Sequence, residues 1–167
     1  YYRNQPSFGA PGLSWGDRAL LTTQDFMPPS PSGDPDVQTG DLNFDKRIDI
    51  IKSIQIGDSV GYQIWFNLGK QKYSSRVTVI PAQGYLFSSP GVQLTDFNGD
   101  RVPDVVSIRP FGIRVTAGLG YGRFAPEVLV PLPDGESLTD DQAARARLED
   151  INGDGLADLV LERAEPG

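Results

Sequence analysis

Three short stretches of this chain repeat one spacing of acids: Asp41-Leu-Asn-Phe-Asp-Lys-Arg-Ile-Asp49, Asp96-Phe-Asn-Gly-Asp-Arg-Val-Pro-Asp104 and Asp150-Ile-Asn-Gly-Asp-Gly-Leu-Ala-Asp158. Their first residues lie 55 and 54 positions apart. Oxygen-bearing side chains at positions 1, 3 and 5, a backbone carbonyl at position 7 and a later acid are the donors that wrap a hard divalent cation such as calcium. The expected ligands are therefore Asp150, Asn152, Asp154, the Leu156 carbonyl and Asp158 in the third loop. The second loop offers Asp96, Asn98, Asp100, the Val102 carbonyl and Asp104, and the first Asp41, Asn43, Asp45, the Arg47 carbonyl and Asp49.

D-x-N-x-D also opens an EF-hand, but that motif needs a bidentate Glu at position 12. Here position 12 is Lys52, Ser107 and Leu161, and an apolar strand-like run follows the position-9 acid directly. An EF-hand is excluded. The other reading, three solvent-exposed Asp/Asn turns, explains a single loop but not three in register. The loops are unequal. The third has Gly153 and Gly155 at positions 4 and 6, where a sharp turn demands positive φ. The second keeps Gly99 but has Arg101, and the first has Phe44 and Lys46 with Arg47 beside them. Up to three calcium ions are expected, with affinity falling from third to second to first and the first loop weakest or empty. The ion would relieve repulsion between carboxylates and fix a hairpin, a structural role. Catalytic use would need an open coordination position and an acid–base partner, and no recognisable pair stands outside the loops.

A fixed period of this length points to repeated supersecondary units. The repeat extends past the loops: Asn67-Leu-Gly-Lys-Gln-Lys-Tyr73 aligns with Gly118-Leu-Gly-Tyr-Gly-Arg-Phe124, and Arg76-Val-Thr-Val79 with Glu127-Val-Leu-Val130. Runs of branched residues bounded by turn chemistry predict strands at about 37–42, 49–55, 62–68 and 76–80, then 92–97, 104–109, 113–119 and 126–131. Four strands in some 54 residues is the size of a propeller blade. The expected fold is all-β: a partial β-propeller of two complete four-stranded blades flanked by two half blades. Residues 1–35 end a preceding blade, with Tyr1–Arg3 standing where Ile64–Phe66 stand later, and carry a Pro/Gly-rich loop over 27–36. Blades occupy 36–81 and 82–133, and residues 134–167 hold a linker and the first half of another blade. Because propellers typically close with 4–8 blades, the chain reads as an excerpt of a larger ring, or as one that completes itself by association. One point stays open: Thr139-Asp-Asp-Gln142, followed by Ala143-Ala-Arg-Ala-Arg147, has a capping-box pattern, so either a helical turn or two precedes the third repeat or 143–149 begins the next strand early.

Composition narrows function mainly by exclusion. The chain has no His and no Cys, which removes Ser-His-Asp and Cys-His nucleophiles, His- or Cys-ligated zinc and disulfide chemistry. No apolar run approaches the roughly 18 residues of a membrane span, so no membrane insertion is expected. A net charge of −7 disfavours non-specific nucleic-acid binding. Nine of the 22 acids sit in the three loops, and three bound dications would leave the net charge near −1.

The combination of D-x-N-G-D-x-x-x-D, a branched strand and Gly118-Leu-Gly-Tyr-Gly-Arg-Phe124 resembles the FG-GAP/VCBS repeats of integrin-α-type β-propellers. Tyr121-Gly-Arg-Phe124 and Trp65-Phe-Asn-Leu-Gly69 resemble, more narrowly, the propeller region of bacterial toxin-complex B-type and virulence-plasmid insecticidal toxin proteins. The resemblance implies a secreted or cell-surface, non-enzymatic shell or protein-interaction scaffold. Its partners would be other blades of the parent propeller or another protein. Phe44 and Lys46 depart from the family loop. A carbohydrate-binding FG-GAP lectin or adhesin is the alternative, with Tyr62, Trp65, Tyr73, Tyr85 and Tyr121 available to stack on a glycan or else to pack between blades. A calcium-dependent polysaccharide lyase has the least support, for want of an acid–base constellation.

Overall fold

The computed structural model describes residues 33–70 and 72–161, together with the backbone of three N-terminal strands, β1 (Tyr2–Pro6), β2 (Leu13–Arg18) and β3 (Thr22–Thr23). Tyr1, most of the Pro/Gly-rich stretch (27–32) and 162–167 lie outside the described residues.

Two four-stranded antiparallel meanders form the body. The first runs β4 (Val37–Gly40), β5 (Asp49–Ile56), β6 (Ser59–Trp65) and β9 (Val77–Val79). The second runs β10 (Val92–Thr95), β11 (Asp104–Arg109), β12 (Gly112–Thr116) and β13 (Val128–Pro131). A two-stranded sheet of β14 (Arg147–Glu149) and β15 (Asp158–Val160) begins a third unit, and β1 pairs antiparallel with β2. In all three units the loop joins first strand to second in one register. Gly40 pairs with Asp49, Thr95 with Asp104 and Glu149 with Asp158. The architecture is all-β and partial-propeller, as the repeat spacing predicts.

The second strands explain how the blades stack. A half-buried strand alternates apolar and polar residues, whereas one covered on both faces reads as a continuous branched run. Ile50 and Ile51 are both buried, as are Val105 and Val106. Ile50 faces a small core with Val37, Trp65 and Tyr73. Ile51 and Val105 face each other across the gap between the meanders, in a core with Leu42, Tyr62, Ile64, Phe87 and Val92. Val106 turns the other way, into a core with Ile108, Ile113, Val115, Ala143, Ala146 and Leu148. Each blade therefore contributes one face to each of two cores. At the centre of the first interface the buried Tyr62 ring stacks on Phe87 at 5.4 Å and meets Phe124 at 5.2 Å.

Two departures from the sequence expectation have local causes. The third strand of the first blade begins at Ser59 and stops at Trp65, not at residue 68. Phe66 N–H donates to Ser74 Oγ (3.0 Å) and Asn67 N–H to Asp49 Oδ1 (2.7 Å), so both amides leave the ladder. A separate short hairpin follows, β7 (Asn67–Gly69) with β8 (Lys72–Tyr73), and β3 adds to it in parallel. In the second blade its counterpart is a single bridge, Gly118 to Phe124. The open question before the third repeat resolves as a helix, α1 (Asp140–Arg145). Gln142 N–H donates to Thr139 Oγ1 (3.1 Å) and Thr139 N–H to the Gln142 side chain (2.9 Å), the reciprocal capping box. Ala143 packs this turn on the second core.

Candidate metal centre

All three loops share one backbone shape. Positions 4 and 6 are left-handed throughout: Gly153 and Gly155 in the third loop (φ 80° and 86°), Gly99 and Arg101 in the second (78° and 72°), Phe44 and Lys46 in the first (65° and 63°). The left-handed conformation costs a residue with a Cβ roughly 1–2 kcal/mol, so only the third loop is free of that strain. The shape follows from the position-1 Asp collecting backbone amides. Asp96 accepts from Gly99 and Arg101 N–H (2.8 Å each), and Asp150 from Gly153 and Gly155 N–H (2.7 and 3.0 Å). Positions 3 and 5 lock to each other. Asn98 Oδ1 accepts from Asp100 N–H at 2.8 Å while its amide donates to Asp100 Oδ2 at 2.9 Å. Asn152 and Asp154 repeat this at 2.8 and 3.0 Å. Two carboxylates and one carboxamide are thus held side by side on an exposed loop.

The position-9 acids do something different. Asp49 and Asp104 are completely buried, and each spreads its two oxygens between two backbone amides. Asp49 accepts from Leu42 N–H (2.9 Å) and Asn67 N–H (2.7 Å), and Asp104 from Phe97 N–H (2.9 Å) and Gly118 N–H (2.8 Å). Asp158 repeats the first bond, with Ile151 N–H at 3.1 Å. Burial pushes the Asp49 carboxyl up to about 6 against the pull of those amides, with Asp45 and Asp41 adding to the rise. Burial raises Asp104 in the same way. Among the described residues no three acidic side chains converge to hold a metal ion. Asp49 and Asp104 tie the loop to the strand exit 18 and 14 residues on. The sequence carried a signal for this: an Asp opening a strand buried on both faces must itself be buried and needs donors.

By donor chemistry the second and third loops fit a hard divalent cation, with Asp, Asn and Asp oxygens and the carbonyl of Val102 or Leu156. Loop 1 differs. The position-7 N–H donates to the position-5 Asp Oδ1 in all three loops (2.8–2.9 Å), but in loop 1 Arg47 Nη1 also pairs with Asp45 Oδ2 at 2.8 Å. Of the aromatics considered for glycan stacking, Tyr62, Trp65 and Tyr73 are buried in the cores. Tyr85 is half-buried, its hydroxyl bonded to Glu127, which also pairs with Arg114 at 2.6 Å. Tyr121 alone among them is exposed.

The loops also touch their neighbours. The hairpin 118–124 of the second blade sits on the first loop: Tyr121 N–H donates to Leu42 O at 2.6 Å, and a Cβ on Gly120 would lie 2.9 Å from the Phe44 ring. Phe66 and Tyr121 meet at 6.3 Å. A Cβ on Gly99 would lie 2.9 Å from Leu156 of the third loop. Loop and blade contact are one piece of structure.

Comparisons with known proteins agree with this architecture. The FG-GAP-like repeat family matches residues 96–161, from the start of the second loop to just past the third. Among solved structures, the Photorhabdus luminescens Tc holotoxin pore aligns at a TM-score of 0.59, with 20% identity over 80% of this chain and 6% of that one. The TcdB2–TccC3 structure aligns at 0.58, with 18% identity over 77% of this chain and 6% of that one. At these identities the likeness is one of fold. Broad specificity amino-acid racemases of Pseudomonas taetrolens and Pseudomonas putida are 31% and 32% identical over 122 residues. The chain spans 28% of the length of those curated relatives. Residues 96–161 match the FG-GAP-like repeat family, and the chain has the all-β fold of a partial β-propeller.

Proposed function

We propose that this chain is a calcium-stabilised, non-catalytic propeller segment serving as shell or protein-interaction scaffold in a larger secreted or surface assembly of the toxin-complex kind. The observation that carries the reading is the loop recurring in one register across three successive units, each time at a blade junction. A site placed that way fixes architecture rather than a substrate. The toxin structures support the assembly part, since this fold fills 6% of those chains. Among the described residues no helix is long and apolar enough to cross a membrane. Calcium would be held by Asp96, Asn98, Asp100 and the Val102 carbonyl, and by Asp150, Asn152, Asp154 and the Leu156 carbonyl, supplying positive charge between carboxylates that otherwise repel. The domain limits proposed are 36–81 and 82–133 for the two blades.

A ligand present at a hundred times its Kd adds about 2.7 kcal/mol, and a domain of this size gains about 2–4 °C per kcal/mol. Saturating calcium is therefore expected to raise the melting temperature by about 5–10 °C over the chelated protein, with no loss of compactness by size-exclusion. Identical melting curves would remove calcium from the proposal. The carbohydrate-binding alternative retains Tyr121, and glycan-array binding abolished by Tyr121→Ala would favour it.

A further inference from the structure

We propose that the first loop is a metal-free form of the motif, in which the Arg47 guanidinium stands where the other loops take a cation. The contrast between loops rests on the calcium reading, while the geometry of loop 1 stands independently. Both Asp45 oxygens are engaged from position 7: Oδ1 by Arg47 N–H and Oδ2 by Arg47 Nη1, each at 2.8 Å. The backbone bond is common to all three loops, with Val102 N–H on Asp100 Oδ1 (2.8 Å) and Leu156 N–H on Asp154 Oδ1 (2.9 Å), but the apolar side chains of Val102 and Leu156 bring no cation to the second oxygen.

Asp41 is also turned differently from its counterparts. It accepts Asn43 and Asp45 N–H (3.3 and 3.2 Å) on Oδ1 and Lys46 N–H (2.8 Å) on Oδ2, whereas Asp96 and Asp150 each receive a position-4 amide. Charge points the same way. The two acids at positions 1 and 5 are matched by Lys46 and Arg47, while the second loop carries one base, Arg101, and the third none. A dication approaching loop 1 meets like charge.

The arginine also has a seat. Asn67 donates through its side-chain amide to Ile48 O (3.1 Å) and accepts Gly69 N–H on its own oxygen (2.9 Å). This draws a left-handed turn at Gly69 (φ 75°) over the guanidinium, where a Cβ would come 3.4 Å from Arg47 Nε. In the second blade the aligned residue, Gly120, faces the Phe44 ring instead. An ion pair this exposed, with side chains 48% and 27% accessible, contributes little to global stability. Its consequence is occupancy of the loop, so ion stoichiometry is the decisive readout.

The test is titration of the full chain with terbium(III), followed by sensitised luminescence, and with calcium by calorimetry. The wild type is expected to take two ions and Arg47→Gln three, the added ion being lost again in Arg47→Gln with Asp45→Asn. Three ions in the wild type, or no gain in Arg47→Gln, overturns the proposal. If neither protein takes an ion, the calcium reading has failed by itself, and melting in chelator decides the arginine's role. Arg47→Gln melting about 1–3 °C below wild type, with Arg101→Gln unchanged, supports the guanidinium as the loop's internal cation. Equal melting of Arg47→Gln and wild type overturns it.

Discussion

Asp104 has no exposed surface, yet it carries a carboxylate. It is tolerated because Phe97 and Gly118 each direct a backbone N–H at it. Truncating one partner of a buried hydrogen bond leaves the other desolvated, at about 1–3 kcal/mol per orphaned group. Asp104→Ala orphans two amides and is expected to destabilise the chain by about 3 kcal/mol in urea denaturation under chelator. Asp104→Asn, which keeps one acceptor oxygen, should lose about half of that. Equal, negligible losses in both would mean that the acid acts only through metal. The acid and its spacing were legible in the sequence. Its anchoring role was not, because Gly118 lies 14 residues further on, and a residue pattern does not report which amide turns out of a strand.

At the scale of elements, the hairpin at 118–124 is the clasp between blades. Its glycines supply clearance: Gly120 is left-handed (φ 75°), and a Cβ there would come 2.9 Å from the Phe44 ring. Gly120→Ala combines backbone strain of roughly 1 kcal/mol with a ring that must shift, giving an expected loss of about 2 kcal/mol. Phe44→Ala in the same chain should restore the steric share, so the double-mutant cycle is expected to show coupling of about 0.5–1 kcal/mol. An additive pair would show that the ring moves freely. Strand runs such as Asp104-Val-Val-Ser-Ile were readable because burial on both faces leaves a continuous branched signature. The parallel pairing of β3 with β8 left no signature, being made by backbone between segments some 50 residues apart.

Across the whole molecule, the two meanders are joined by polar bonds as well as by the Tyr62–Phe87 core. Ser53 Oγ–H donates to Asp36 Oδ1 (2.7 Å) and accepts Phe87 N–H (2.9 Å), and Ser88 N–H donates to the same Asp36 oxygen (3.0 Å). The start of one blade is thereby tied to the segment leading into the next. Burial alone would raise the Asp36 carboxyl, but the Ser53 and Ser88 donors outweigh it and hold the group below the ordinary Asp range. A depressed carboxyl contributes stability that is present above its unfolded value, about 3.9, and is lost as pH falls through the folded one. Ser53→Ala is expected to cost about 1–2 kcal/mol at neutral pH, with the gap to wild type narrowing below about pH 4. A gap that stays constant in acid would detach Asp36 from the junction.

The sequence by itself determined the repeat, the loop register and the strand order, because these are written in local spacing and in which residues are branched, acidic or glycine. It also pointed to left-handed turns at positions 4 and 6, where the third loop carries glycine. Only the tertiary structure decided that three of the five candidate stacking aromatics are buried in the cores and that Thr139 caps a helix. It likewise decided that the position-9 acids hold strand exits, and that Arg47 and Gly69 close the first loop from above. Each of these depends on a group distant in the chain. Which amide, ring or guanidinium reaches a given carboxylate is set by how the blades stack.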